Sequence, residues 1–538
     1  MADAIVIGAG PNGLVAANLL ADRGWEVLVL EAASEPGGAV RSAELTGQPG
    51  FGHDVFSAFY PFAVASPAFR ALDLEAHGLR WCRGDLVVAH PASDGTCTVL
   101  APRVEETMAS LEAFAPGDGE AWRRLFARWE RVGAHLVEAL VTPMPPVRAG
   151  LRIAAALRSD LVRFARFLAL PLRRMAEEEF RGAGGARLLA GNASHTDLAP
   201  EVPGSGAFGW VLTCLGQEHG FPTPEGGAGA LTAALVRRLR ARGGEVRCGA
   251  RATRIEVRDG AASAVQVDGG ERFEAGRAVL ADVLAPALYL DLVGAERLPP
   301  KLVEDLRRFE IDWSTVKVDW ALDGPIPWDA EPARRAGVVH VVDGIDELTL
   351  GAAQIETGLV PATPSLVMGQ YAAVDPTRSP PGTDTAWAYT HVPRTVRGDG
   401  GEQGITGDWD GRDGDVLADR VERRIETLAP GFRDRIRARH VITPGEAERL
   451  NANLASGSMY AGTNRLHQQA IFRPTPSLGR PETPVARLYL ASASAHPGGG
   501  VHGGPGANAA RAALGADLRR RLSSPGRCAP GAVRPRRP

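Results

Sequence analysis

The chain opens on Ala4-Ile5-Val6-Ile7, an apolar run with no polar alternation. A strand covered on both faces has that pattern. Gly8-Ala9-Gly10-Pro11-Asn12-Gly13 follows without a gap, and residues 14–23 carry small and apolar side chains at helical spacing. Residues 25–30 form a second strand-like run that closes on Glu31. Strand, tight turn, helix and strand in this order predict the first unit of a parallel sheet.

Helical periodicity dominates from residue 70 to about 220. The turn Pro224-Glu225-Gly226-Gly227-Ala228-Gly229-Ala230-Leu231 predicts a new helix to about Arg242. Short strand-like runs return at 245–248, 252–257, 264–267 and 278–281, and a longer one at 314–322 precedes Gly324-Pro325-Ile326-Pro327-Trp328. Mixed structure continues to about Leu454, and the Gly- and Asp-rich stretch 397–415 is expected to be a mobile loop. A last strand is predicted at 488–493, a glycine-rich loop at 496–506 and a helix at 507–522. The basic, Pro-rich tail from Ser523 is expected to be disordered. No internal repeat is visible.

Composition narrows the function classes. With 538 residues, 44% of them hydrophobic, the chain can bury a large core spread over several domain-sized units. A net charge of −3 gives no electrostatic footprint for nucleic acid. The five cysteines are far apart and include no C-x-x-C pair, which argues against a disulfide framework, a zinc knuckle or a redox dithiol. No metal site is expected. No stretch of about 20 residues is continuously apolar, so no spanning helix is expected. The N-terminus enters a strand directly, leaving no room for a signal peptide, and a soluble cytoplasmic protein is the default. Residues 148–174 interleave Arg with Leu, Ile, Val and Phe. That pattern fits a surface touching a membrane, a guard over a substrate tunnel, or a helical cap with a solvated basic face.

The G-x-G-x-x-G turn gains meaning from its context, because it sits between strand and helix and an acid closes the next strand. Gly8 permits the tight turn, Gly10 lets backbone approach a pyrophosphate and Gly13 lets helix and strand pack closely. Pro11 and Asn12 open the helix, whose free N–H groups face the phosphates. Glu31 is placed to accept from a ribose diol. A second match, Gly204-Ser205-Gly206-Ala207-Phe208-Gly209, follows a segment with two prolines and reads as a loop. The chain thus shows one dinucleotide site. Shortly after Glu31 comes another glycine turn, Glu35-Pro36-Gly37-Gly38-Ala39-Val40-Arg41-Ser42, which a bare NAD domain does not need.

Residues 5–42, 50–61, 224–231, 317–328 and 488–514 together resemble the phytoene desaturase-like branch of the flavin amine oxidase superfamily. The resemblance is nearest to the group that includes pyridine nucleotide-disulfide oxidoreductase domain-containing protein 2. It covers the chain to about residue 520, and the stretch LYLASASAHPGGGVHGGPGANAARAAL is its most specific part. It implies an α/β fold: a discontinuous Rossmann-like FAD-binding domain (1–70, 224–300, 461–522) and an α+β substrate domain with a helical cap (71–223, 301–460), before a tail at 523–538. It implies FAD as cofactor. Gly37, Gly38 and Arg41 would pass close to the flavin, and Ala252, opening its strand, joins the cofactor-binding set. Gly498, Gly499, Gly503 and Asn508 would crowd the ring from the C-terminal loop and helix.

Candidate chemistry follows from the same comparison. Lys317 and Lys301 are the only lysines in the chain. Lys317 stands where many amine oxidases place a lysine that holds a water at flavin N5. Alternation puts it on the strand face opposite Val316 and Val318, beside Asp319, which offers the alternative of a paired structural charge. His496 and His502 are further catalytic candidates, ahead of His53 and Asp54. His467, Gln468, Gln469 and Arg473 are candidates for a cavity wall, and Trp387 and Tyr389 for either that wall or, the favoured reading, core packing.

The leading expectation is a dehydrogenase or desaturase moving a hydride from a small apolar organic substrate to flavin N5. The electrons would then leave to oxygen, a quinone or an external carrier. An oxygen-using amine oxidase, a flavoprotein with a regulatory or binding role and a redox-neutral isomerase stand beside it.

Overall fold

The computed structural model describes residues 1–476 and 478–523. The expected disordered tail, apart from Ser523, lies outside the described residues. Two seven-stranded sheets organise the chain. In the first, the apolar runs Ala2–Ile7 and Val27–Leu30 lie side by side and parallel, flanked by Arg272–Ala281 and Glu245–Arg247, and Leu488–Leu490 joins at Arg272–Ala281. The strand Arg272–Ala281 does two jobs. Its first half pairs antiparallel with Ala261–Val267, and its second half runs parallel beside Ala2–Ile7.

Both faces of this sheet are covered, as the unbroken apolar runs require. One face packs Val6 and Val29 against Leu14, Leu231 and Ala510, from the helices Pro11–Ala21, Ala228–Ala241 and Gly504–Ser523. The other buries Ile5, Leu28 and Val279 against Leu288 and Leu302. The last helix begins at Gly504, inside the stretch expected to be loop.

The second sheet has the order Ile436–Ile442, Ser314–Leu322, Asp384–Val392, Leu366–Gln370, Ala336–Val341, Leu86–Pro91, Cys97–Leu100. The last two strands lie within the stretch where helical periodicity was expected to dominate. Leu86–Pro91 is buried along its whole length, and a short run without polar alternation cannot be told from buried helix by periodicity. A helical layer, including Asp118–Leu140, Ala183–Ala193 and Ser205–His219, packs around Trp122, Trp129 and Trp210.

Two loop expectations are corrected. The second G-x-G-x-x-G caps and enters the helix Ser205–His219. Its small residues serve packing: a β-carbon at Gly209 would lie 2.7 Å from the Leu189 carbonyl. The stretch 397–415 is pinned rather than free. Asp399 pairs with Arg420 at 2.7 Å through buried side chains, and the Asp413 carboxylate accepts from the backbone N–H groups of Thr406, Gly407 and Asp408. Cys82, Cys97, Cys214 and Cys248 are free thiols.

The sheets are tied at Asp54, which is fully buried. Its carboxylate accepts from Ser42 Oγ (2.8 Å), Ala228 N (2.7 Å) and Tyr371 Oη (2.5 Å), and pairs with Arg378 at 3.0 Å. Removing one partner of a buried ion pair leaves the other charge uncompensated. Asp54→Ala is therefore expected to lower the unfolding free energy by about 3–5 kcal/mol in urea denaturation, and adding Arg378→Met to recover most of that loss.

Candidate functional site

A cavity of about 760 Å³ begins at the carboxyl edge of the first sheet and extends under the second. Ligands of open α/β sheets bind at that edge. Gly8, Gly10, Pro11, Asn12 and Glu31 line it. Glu31 accepts from Ala9 N (2.7 Å) and Ala33 N (2.9 Å), so each carboxylate oxygen keeps a lone pair for another donor. The Asn12 amide oxygen is buried without a hydrogen-bond partner.

The second glycine turn presses against the first. Gly38 has φ +55°, and a β-carbon there would lie 3.1 Å from Gly10 Cα. Arg41 braces this turn by donating to the Gly38 and Leu450 carbonyls. Gly38, Arg41 and Ala252 line the cavity; Gly13 and Gly37 stand behind the wall.

From the far end of the chain, His496, Gly499 and His502 reach the cavity, whereas Gly498, Gly503 and Asn508 do not line it. Asn508 Oδ1 instead accepts from Arg511 at 3.2 Å. The helix Gly504–Ser523 crosses the start of Pro11–Ala21 so closely that a β-carbon at Gly506 would fall 1.9 Å from the Asn12 carbonyl oxygen. His502 is engaged by its own loop, with Nε2 3.2 Å from the Gly499 carbonyl and Nδ1 accepting from Gly504 N. Burial pushes both His496 and His502 down to about 4, so both rings are neutral at pH 7.

Lys317 lines the cavity from the strand Ser314–Leu322. Its ammonium bonds both oxygens of Asp319 and, at 3.0 Å, the Asp54 carbonyl. Burial lowers its pKa, and Asp319 opposes that shift. The structure thus joins the two alternatives read from the sequence, since Lys317 is both ion-paired and at the wall.

Of the other wall candidates, Gln469, Trp387 and Tyr389 line the cavity. His467 is exposed and bonds Glu310, Gln468 bonds the Glu310 backbone, and Arg473 is buried among carbonyls of residues 460–463 and 493. His53 faces the Trp320 carbonyl.

Sequence reasoning missed Asp282. It follows the strand Arg272–Ala281, lines the cavity and accepts from Gly13 N at 2.9 Å. The signal was its place directly after the short strand-like run 278–281, which the structure shows to be buried and parallel to Ala2–Ile7. His195 was also missed; it lines the wall beside Tyr389. The remaining wall is largely apolar, including Leu140, Val141, Phe208, Leu212 and Phe221.

A doubly covered parallel sheet with a glycine turn and an acid at its carboxyl edge defines a dinucleotide-binding fold. The family model for NAD(P)-binding Rossmann-like domains matches residues 6–72. The chain is 28% identical to pyridine nucleotide-disulfide oxidoreductase domain-containing protein 2 of Rattus norvegicus, over 94% of this chain and 92% of that protein. It is 27% identical to the lycopene-forming phytoene desaturase of Pseudescherichia vulneris, over 94% and 96%. An oxidoreductase from Methanosarcina mazei shares the fold, with a TM-score of 0.63 at 16% identity over 95% and 99% of the two chains. Over nearly its whole length the chain is thus similar to oxidoreductases that include phytoene desaturases.

Burial pushes the Asp282 carboxyl up to about 7 from 3.8, against the opposing hydrogen bond from Gly13. A carboxyl whose pKa rises on folding contributes most below its unfolded pKa, and the contribution is lost as pH rises through about 7. The ligand-free Asp282→Asn variant is expected to lose less stability than the parent chain between about pH 5 and about pH 8, measured as urea midpoints.

Proposed function

We propose that the protein is an FAD-dependent dehydrogenase or desaturase acting on an uncharged, largely apolar organic substrate. One observation carries this reading. A single cavity is lined at once by the glycine turn and Glu31, by Lys317, and by the apolar patch of Leu140, Val141, Phe208 and Leu212. The match to a Rossmann-like model covers the half of the site that NAD and FAD share. The second glycine turn and the C-terminal loop, both against the same cavity, support the larger flavin nucleotide.

The residues present fit FAD. Glu31 would take the ribose diol, the helix Pro11–Ala21 the pyrophosphate, and the unpartnered Asn12 oxygen a hydroxyl donor. Bound FAD supplies a ring that accepts a hydride equivalent. The chain contributes orientation, a dry cavity and one buried ammonium. Of three Lys317 N–H groups, Asp319 and the Asp54 carbonyl occupy at least two, leaving at most one for a water or substrate atom at the wall. His502 is a brace for its loop in this scheme. Electrons would leave to oxygen, a quinone or an external carrier.

The helices Val147–Leu157 and Leu161–Ala169 bear on entry of such a substrate. Val147, Leu151 and Val162 are exposed among Arg148, Arg152 and Arg163. No described helix is long and apolar enough to cross a membrane. An amphipathic basic face of this kind supports peripheral contact with an anionic bilayer. Leu151→Glu/Val162→Glu is expected to cut co-sedimentation with anionic vesicles severalfold; unchanged binding would remove this contact.

The central test is FAD loading, followed by anaerobic screening of apolar alcohols, ketones and alkenes for bleaching of the flavin absorbance. A chain that cannot be loaded with FAD overturns the reading. Glu31→Ala is expected to weaken FAD binding by about ten- to a hundredfold in fluorescence titration. Lys317→Met is expected to keep FAD and slow flavin reduction or reoxidation by about tenfold or more. Unchanged rates in both half-reactions would exclude Lys317 from the chemistry.

A further inference from the structure

A row of imidazoles, half-buried at His195 and fully buried at His340 and His90, runs from the cavity wall into the second sheet. Tyr389 and His195 line the cavity. Tyr389 Oη lies 3.2 Å from His195 Nδ1, and His195 Nε2 lies 2.9 Å from His340 Nε2. The His340 ring packs on His90 with centroids 4.8 Å apart. His340 Nδ1 and both ring nitrogens of His90 are buried without a hydrogen-bond partner. A β-carbon at Gly191 would lie 2.5 Å from His340 Nδ1 and 2.6 Å from His90 Nδ1, so both nitrogens face one small gap. Among the described residues no group of three or more His, Cys, Asp or Glu side chains could hold a metal ion.

Burial keeps these rings neutral, with His90 and His195 pushed down to about 3 and His340 well below its ordinary value. Burial also keeps the Tyr389 phenol protonated. A neutral imidazole has one N–H and one lone pair, so the contact between the two Nε2 atoms needs one of each. Suppose His195 donates. His340 then carries its proton on Nδ1, where nothing accepts it. Suppose His340 donates instead. Its Nδ1 is then a bare lone pair, His195 carries its proton on Nδ1, and that proton goes to Tyr389 Oη.

Orphaned buried donors are rarer than under-satisfied acceptors. His90 keeps one unmatched N–H in either direction, and the first arrangement adds a second donor facing the same gap. The second arrangement prevails. Tyr389 Oη then accepts from His195, and no other hydrogen bond engages it among the described residues. Its own proton is free. Neighbouring Trp387, by contrast, spends its N–H on Tyr371 Oη.

We infer that this row is wired outward, from His340 through His195 to Tyr389, and that Tyr389 offers its hydroxyl proton to an oxygen acceptor on an otherwise apolar substrate. The substrate class narrows to a long apolar molecule with a carbonyl, ether or hydroxyl oxygen. A pure hydrocarbon would strand the donor, and sites built around a hydrogen bond discriminate against ligands that lack it. The inference rests on reading the apolar part of the cavity as the substrate site.

The test uses FAD-loaded protein and two probes of equal chain length, dodecan-2-one and dodecane, in competition against a fluorescent apolar dye. Tyr389→Phe is expected to weaken dodecan-2-one binding by about three- to tenfold and to leave dodecane unchanged, with the melting temperature checking the fold. Nitrogen-15 spectra of the histidine rings, with His195 assigned from His195→Gln, are expected to show His195 protonated at Nδ1. Equal effects on both probes, no effect on the ketone, or a proton on His195 Nε2 would each overturn the wiring. Binding of neither probe would overturn it together with the substrate-site reading, while the FAD-loading result would stand separately.

Discussion

A buried carboxylate without hydrogen-bond partners costs free energy, and Asp54 finds its partners in separate parts of the chain. Its oxygens hold a hydroxyl beside the second glycine turn, the first N–H of the helix Ala228–Ala241, and a tyrosine and an arginine from the connection between two strands of the second sheet. Its backbone carbonyl holds Lys317. The distance between the glycine turns and the wall that carries Lys317 is therefore set by hydrogen-bond lengths rather than by loose packing. The position of Lys317, the one lysine at the cavity, inherits that setting.

The polar groups around the cavity divide by charge. The carboxylic and guanidinium side chains of Glu31 and Arg41 stand with the glycine turns, where a nucleotide would lie. Beyond the ion-paired Lys317, the apolar part is polarised by neutral groups: imidazoles that burial keeps uncharged and a phenol that burial keeps protonated. Neutral donors and acceptors give direction to a ligand without demanding a counter-charge, which suits an uncharged guest.

The cradle was legible because its signals are local. Gly8 to Glu31 lies within one strand–helix–strand unit, and Lys317 stood out by rarity. What stayed hidden was assembled across long separations. Asp282 looks like the end of any buried strand until Gly13, 269 residues earlier, is placed beside it. His195 and His340 come from a segment just past a helix and from a strand, and each reads as core by itself; Tyr389 was read as wall or core without the partners that orient its hydroxyl. The strands Leu86–Pro91 and Cys97–Leu100 were lost to helical pattern because burial on all sides removes the alternation that marks a strand. The Gly204 turn misled in a milder way, since small residues at helical spacing also serve helix packing.

The crossing of Gly506 over Asn12 has a consequence for biosynthesis. The two residues are 506 − 12 = 494 positions apart. A ribosome adds roughly 5–20 residues per second, so the first strand–turn–helix unit waits about 25 to 100 seconds before its last packing partner exists. Closing so long a loop costs roughly 3 kcal/mol more than closing one of about ten residues. Until then the apolar flank of Pro11–Ala21 has no partner from the last helix. The nascent chain is exposed to aggregation for as long as its C-terminus is unmade, and a truncation there would reach back to the opposite end of the protein.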